Sequence, residues 1–385
     1  MTGYARVVTA SRLDVDALLA DPATKIVVCC GSGGVGKTTT AAALGLRAAE
    51  QHGRRTVVLT IDPARRLAQS MGLTELDNTP RQVKGIDTDA TGGELHAMML
   101  DMKRTFDEVV QAHTTPARAA EIFANPFYQA MSSTFSGTQE YMAMEKLGQL
   151  RARNEWDLIV VDTPPSRSAL DFLDAPARLS RFLDGRMLRM LLAPARSGGR
   201  SMFSLVTASF GLFSRAVQKI LGAQLLTDLS GFVAALDSMF GGFRERADET
   251  YRILQDPQTA FLLVAVPERD AVREAQYFAE RLVADRMPLA GLVLNRVHRS
   301  ELTTLTAAQS EAAAAALDAA GNQPITADAL RIHAGLLRQT EREVQVAATF
   351  TEAFPEVPAV AVTAQPADVH DVDGLRTIGT ALAAS

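Results

Sequence analysis

The sequence predicts an α/β fold: a doubly wound, mostly parallel sheet that carries an α-helical insertion. Short, apolar, β-branched runs alternate along the chain with stretches of helical periodicity. The connections between most of these runs are helix-length, as in repeated strand–helix–strand crossovers. One long connection differs in composition from everything around it.

The apolar runs are Ile26 to Cys30, Thr56 to Ile61, Leu95 to Leu100, Leu158 to Val161, Phe261 to Val266, Leu289 to Leu294 and Val357 to Val362. Continuous rather than alternating apolarity is what strands covered on both faces require. With 385 residues, 47% of them hydrophobic, the chain has material for a large core, and length alone admits two or three domains or one elaborated domain. The organisation expected is one domain over residues 1–385, with helical segments at 103–153 and an insertion at about 176–254.

Between the first apolar run and the helical run Thr39 to Glu50 stands Gly31-Ser32-Gly33-Gly34-Val35-Gly36-Lys37-Thr38. Strand, glycine-rich turn, Lys-Thr and helix form the setting of a phosphate loop. Glycines let consecutive backbone N–H groups turn inward around a β-phosphate, Lys37 reaches the β/γ oxygens, and the Thr38 hydroxyl is a Mg²⁺ ligand. The fold expected is therefore that of a P-loop NTPase. A flexible glycine turn without a ligand is the competing reading, and the flanking strand and helix argue against it.

Mg²⁺ held by Thr38 calls for a carboxylate at the end of a neighbouring buried strand, and Asp162, after Leu158-Ile159-Val160-Val161, has that position. Asp62 ends another apolar run, in Thr60-Ile61-Asp62-Pro63-Ala64. Because the carboxyl ends of parallel strands gather at the ligand crevice, both acids are expected near a bound triphosphate, with Asp62 orienting the attacking water. The alternative for each is a helix cap, which for Asp62 suits Pro63 at a first helical position and coexists with a catalytic role.

The net charge of −5 argues against nucleic acid as the main partner, which would need clustered cations. Residues Met1 to Asp21 carry Arg6 and Arg12 but no apolar core of signal-peptide length, and no stretch reaches the ~20 apolar residues of a membrane span. The expected location is the cytoplasm, free or peripheral to a membrane. Cys29 and Cys30, the only cysteines, are adjacent inside an apolar run and are expected to be plain core residues.

Within the insertion, Leu179, Phe182, Leu183, Met187, Met190 and Leu191 recur at helical spacing. From Ala175 to Ile220 eight cations face the single acid Asp184, a local net charge of +7 in an acidic chain. Two readings stand: a helical layer packed on the sheet with arginines as its solvated face, or a surface for a hydrophobic client helix, a membrane transporter or a membrane surface.

Taken together, the Gly-Gly-x-Gly-Lys-Thr loop, a strand ending Asp62-Pro63-Ala64, the Gly-x-x-Glu of Gly137 and Glu140, and a strand ending Asp162-Thr163-x-Pro resemble the ArsA-type ATPases. That family includes the arsenite-pump ATPase and the factors that target tail-anchored membrane proteins, within the wider group of deviant Walker A proteins. The resemblance runs from Lys25 to about Leu375. It implies an ATPase that binds ATP with Mg²⁺. Gly33, Gly34, Val35, Gly36 and Lys37 would hold the phosphates, Thr38 and Asp162 the metal. Thr39 would touch the α-phosphate and Asn295 the adenine, while Asp62 would position the hydrolytic water. It also implies a dimer closing over two nucleotides, with the client groove in the helical insertion.

Three departures shape the expectation. The family's loop carries a lysine that reaches across the dimer to the partner's phosphates, and this chain has Ser32 there; trans-acting cations of this kind contribute ~10³ or more in rate. The His of the family's segment after the strand-end aspartate is absent from Asp162-Thr163-Pro164-Pro165-Ser166-Arg167-Ser168. No metalloid-binding cysteines and no zinc-binding CxxC exist, so neither an arsenite site nor a zinc-bridged dimer is expected. A heterodimer with a paralogue that retains the lysine is the resulting expectation, beside a homodimer. The alternative is a catalytically weak, nucleotide-gated scaffold or regulatory subunit.

Overall fold

Every apolar run predicted as a strand is one. The computed structural model describes residues 12–61, 66–73, 75–126, 128–129, 138–164, 248–302 and 304–384. Its strands are Ile26–Cys30 (β1), Arg55–Thr60 (β2), Arg81–Gln82 (β3), Glu94–Met99 (β4), Leu158–Asp162 (β5), Thr259–Ala265 (β6), Leu289–Val297 (β7) and Ala359–Thr363 (β8). They form one sheet in the order β3-β4-β2-β5-β1-β6-β7-β8. All neighbouring pairs are parallel except β3 with β4. Two-residue β3 was not expected, because a segment so short has no periodicity and pairs only once β4 is in place.

The helices are Val15–Ala20 (α1), Lys37–His52 (α2), Arg66–Ser70 (α3), Met102–His113 (α4), Pro116–Ala124 (α5), Thr138–Arg153 (α6), Arg269–Ala284 (α7), Ala307–Ala319 (α8), Pro324–Ala353 (α9) and Val372–Ala384 (α10). The chain divides into two compact units: Met1–Met99, Leu150–Leu170 and Ile253–Ser385 form the first, Leu100–Gln149 and Asp171–Arg252 the second. Of the insertion expected at 176–254, only residues 248–254 lie among those described, and they are helical.

In the first unit, α2 and α10 bury Ala41, Leu44, Ala48, Leu375 and Leu382 in one cluster with Val27, Val58, Val160, Leu262 and Val293 of the sheet. The alternate residues Leu263 and Leu294 are fully buried outside that cluster, on the face where α7 packs against β6 and β7. Helices thus cover both faces, which is why the strands read as uninterrupted apolar runs. At the amino end of β2 the buried Arg54 guanidinium donates to the carbonyls of Leu19, Asp21, Thr24 and Asp157, tying the turn after α1 to the start of β5.

The second unit has its own contacts. Asp101 caps α4 by accepting from the Arg104 N–H at 2.9 Å, the Phe106 and Tyr128 rings lie 5.4 Å apart, and the Tyr128 hydroxyl donates to Asp107. Lys146 of α6 donates to Glu108 of α4 at 2.9 Å. Among the described residues no helix is long and apolar enough to cross a membrane.

What positions the site is the point where strand order reverses. From β1 the chain moves to one side through β2 and β4, then returns through β5 and builds β6, β7 and β8 on the other side. The crevice at such a switch point, outside the carboxyl end of β1, is where open α/β sheets take their ligands.

Candidate functional site

The glycine loop occupies that crevice, and two of its glycines are dictated by close approach. A Cβ on Gly31 would stand 2.1 Å from the Val264 carbonyl oxygen of β6. A Cβ on Gly36 would stand 2.2 Å from the Asn295 amide nitrogen, at a residue whose φ of +96° already excludes most side chains. Gly36 is the N-cap of α2 and supplies no capping side chain, so the helix presents its uncapped positive end to the loop. Lys37, the first helical residue, is buried and donates from Nζ to the Ser32 carbonyl at 2.8 Å. Gly33 and Gly34 are exposed at the loop crest, Val35 is buried beneath it, and Thr39 is half-buried on the next helical position.

Beside the loop lies the fully buried Asp162. β5 is sandwiched between β1 and β2 with Asp162 in register with Cys29 on one side and Thr60 on the other. The strand ends are held together: the Ile61 N–H donates to the Asp162 carbonyl at 3.0 Å and the Thr163 hydroxyl to the Cys29 carbonyl at 2.8 Å. This register brings Asp162 Oδ2 within 2.8 Å of the Thr38 hydroxyl of α2 and within 2.8 Å of the Thr60 hydroxyl of β2, each donating to it. A hydroxyl whose proton is committed to a carboxylate turns its lone pairs outward. Hydroxyl and carboxylate oxygens at a phosphate loop are the hard donor set that suits Mg²⁺.

Asn295, near the end of β7, has its side chain against the loop. Its amide donates to the Val35 carbonyl at 2.8 Å, and its Oδ1 accepts from the Arg296 N–H at 3.0 Å. Neither this contact nor the part of Thr60 was foreseen from sequence. Burial pushes the neighbouring Cys30 thiol up to about 12, and burial with the adjacent Asp162 charge also holds Cys29 well above its ordinary value, which disfavours the reactive thiolate at both. Both cysteines are buried in the core as expected.

The structure thus brings together Lys37, Thr38, Asp162 and Asn295 around one loop. Asp62, Gly137 and the side chain of Glu140 lie outside the described residues.

Comparison with known proteins gives the family. The profile of the anion-transporting ATPases, ArsA_ATPase, matches residues 24–315. The chain belongs to the ArsA ATPase family. It is accordingly an ATPase, and its α/β sheet is that of a P-loop NTPase. Among similar proteins, ATPase ASNA1 homolog 2 of Paramecium tetraurelia is 24% identical over 73% of this chain and 78% of its own length. ATPase GET3 of Malassezia globosa is 24% identical over 71% of this chain and 72% of its own. A putative arsenical pump-driving ATPase of Prosthecochloris vibrioformis is 30% identical over 40% of this chain and 36% of its own.

Proposed function

We propose that this ATPase binds ATP with Mg²⁺ at the Gly31–Thr38 loop, works as a dimer, and uses its nucleotide state to control a partner at the 176–254 insertion. The observation that carries the reading is the Thr38–Asp162 pair at the head of α2, beside the Lys37 ammonium. The loop backbone from Gly33 to Lys37 cradles the β-phosphate. Lys37 exchanges the Ser32 carbonyl for phosphate oxygens, a stronger acceptor for an ammonium. Thr38 and Asp162 would hold the metal, and Thr39 would meet the α-phosphate. Mg²⁺, when bound, offsets negative charge on the transferred phosphoryl group. Asp62 orients the attacking water and accepts its proton.

Ser32 is uncharged, so it supplies no cation to a partner's phosphates. The dimer inferred is therefore a heterodimer with a paralogue that retains the loop lysine, sited in the cytoplasm or at a membrane surface. The name of one relative, a putative arsenical pump-driving ATPase, supports a membrane transporter as the partner at the insertion; a hydrophobic client helix is the other partner, suited to the insertion's apolar stripe. A second reading, a scaffold that holds ATP with negligible turnover, draws on the same Ser32.

The deciding experiment is steady-state hydrolysis by the purified chain, by Asp62→Asn and by Ser32→Lys, with the mass of each assembly. Turnover lost in Asp62→Asn while ATP still binds supports the enzyme. A silent chain activated by Ser32→Lys or by an added paralogue supports the heterodimer. A chain that binds ATP and stays silent in every combination is the scaffold.

A further inference from the structure

Two threonine hydroxyls from different elements converge on a single oxygen. Thr38 Oγ1 and Thr60 Oγ1 each lie 2.8 Å from Asp162 Oδ2. The phosphate-loop reading accounts for Thr38 but assigns nothing to Thr60. Thr60 is 1% exposed and Asp162 0%, so the pair is shielded from bulk water, where a hydroxyl–carboxylate bond is worth most.

The two threonines differ in what else they must do. Thr38 stands in the first turn of α2, beside the loop whose backbone has to close on phosphate. Thr60 stands inside a sheet, with its backbone in register with Met99 on one side and Asp162 on the other. A carboxylate held by one donor pivots about its Cβ–Cγ bond; a second donor, from a strand paired on both sides, helps to set the plane of the group.

We propose that Thr60 is a positioning residue for the metal site, its hydroxyl holding the Asp162 carboxylate at the angle from which it engages the Thr38 hydroxyl. The inference rests on the magnesium reading of Thr38 and Asp162. In this role Thr60 acts through Asp162, the group its hydroxyl engages. Outer-shell partners of this type are worth about 10- to 100-fold in metal affinity, and the expected effect lies at the lower end, because Thr38 still holds the same oxygen.

The test uses the full chain with Thr60→Val, which keeps the β-branched shape and removes the donor, and Thr60→Ser, which keeps the donor. Mn²⁺ binding in the presence of ADP is followed by the loss of the free-ion electron paramagnetic resonance signal. ADP affinity in EDTA is measured separately by calorimetry. Thr60→Val should raise the Mn²⁺ half-saturation about tenfold and leave the EDTA affinity within twofold, and Thr60→Ser should bind Mn²⁺ as the parent does. An unchanged Mn²⁺ half-saturation in Thr60→Val overturns the assignment, as does an equal loss of ADP affinity in EDTA. Should Thr60→Val not fold, Thr60→Ala takes its place under the same criteria. Asp162→Asn, run alongside, separates the two levels: if it leaves Mn²⁺ binding intact, the magnesium reading itself fails. If it weakens binding and Thr60→Val does not, only the part given to Thr60 fails.

Discussion

Replacing Asn295 by alanine removes a side chain that serves two backbone groups, and the structure sets the size of the effect. The amide N–H lies 2.8 Å from the Val35 carbonyl and the amide oxygen 3.0 Å from the Arg296 N–H. Val35 is 2% exposed and Asn295 8%, so water replaces the lost partner poorly. A buried carbonyl left without its donor costs about 1–3 kcal/mol. Taking about 2 kcal/mol, the ordered form of the loop loses roughly thirtyfold in population, and phosphate affinity falls with it. The assay is competition against a fluorescent nucleotide by inorganic tripolyphosphate, ATP and GTP. Tripolyphosphate has no base, so a brace on the loop predicts that Asn295→Ala weakens it by the same factor as ATP. Asn295→Asp, which places a carboxylate against the Val35 carbonyl, should lose at least as much. Tripolyphosphate binding equal to the parent's, with only ATP weakened, would refute the argument and leave Asn295 a contact to adenine alone.

Arg54 offers a prediction on stability: Arg54→Met abandons four backbone carbonyls and should cost about 3–5 kcal/mol in urea unfolding, with nucleotide affinity unchanged because Arg54 lies at the amino end of β2. Asp16 predicts a pH dependence. The Arg47 hydrogen bond, helped by His52 and opposed by burial, holds the Asp16 carboxyl down to about 2. The unfolded chain therefore takes up this proton first as pH falls. The stabilisation is complete above the ordinary carboxylate value of 3.8 and is lost towards pH 2. The difference in thermal stability between the parent and Asp16→Asn, present at about pH 5, should shrink as pH falls and vanish between about pH 4 and 2.

The parts of the site legible in the sequence are those made by neighbours in the chain. Gly33 through Thr38 are contiguous, so strand, loop and helix could be placed without knowing anything else. Asp162 could be placed because a buried strand had to end there. The contacts that could not be foreseen span the chain: Thr60 to Asp162 crosses 102 positions and Asn295 to Val35 crosses 260. Both depend on which strands are neighbours and in what register, which periodicity does not encode. The strand boundaries moved for a related reason. β7 continues to Val297, beyond the apolar run that ends at Leu294, because Val297 still pairs with Thr363 of β8 after an irregularity in the ladder.

The margins of the sheet bear on how this chain meets other molecules. On one side the ladder ends in β3, two residues running antiparallel to β4. On the other, Arg12 forms an isolated bridge to Ala359 of β8, and the Leu13 N–H donates to the Ala359 carbonyl at 3.2 Å. Among the described residues, a short reversed strand stands at one margin and a backbone bridge at the first residue of β8 at the other, and each shortens the template offered to an incoming strand. Growth by strand addition, the route to open-ended stacking, is thereby hindered most at the β3 margin.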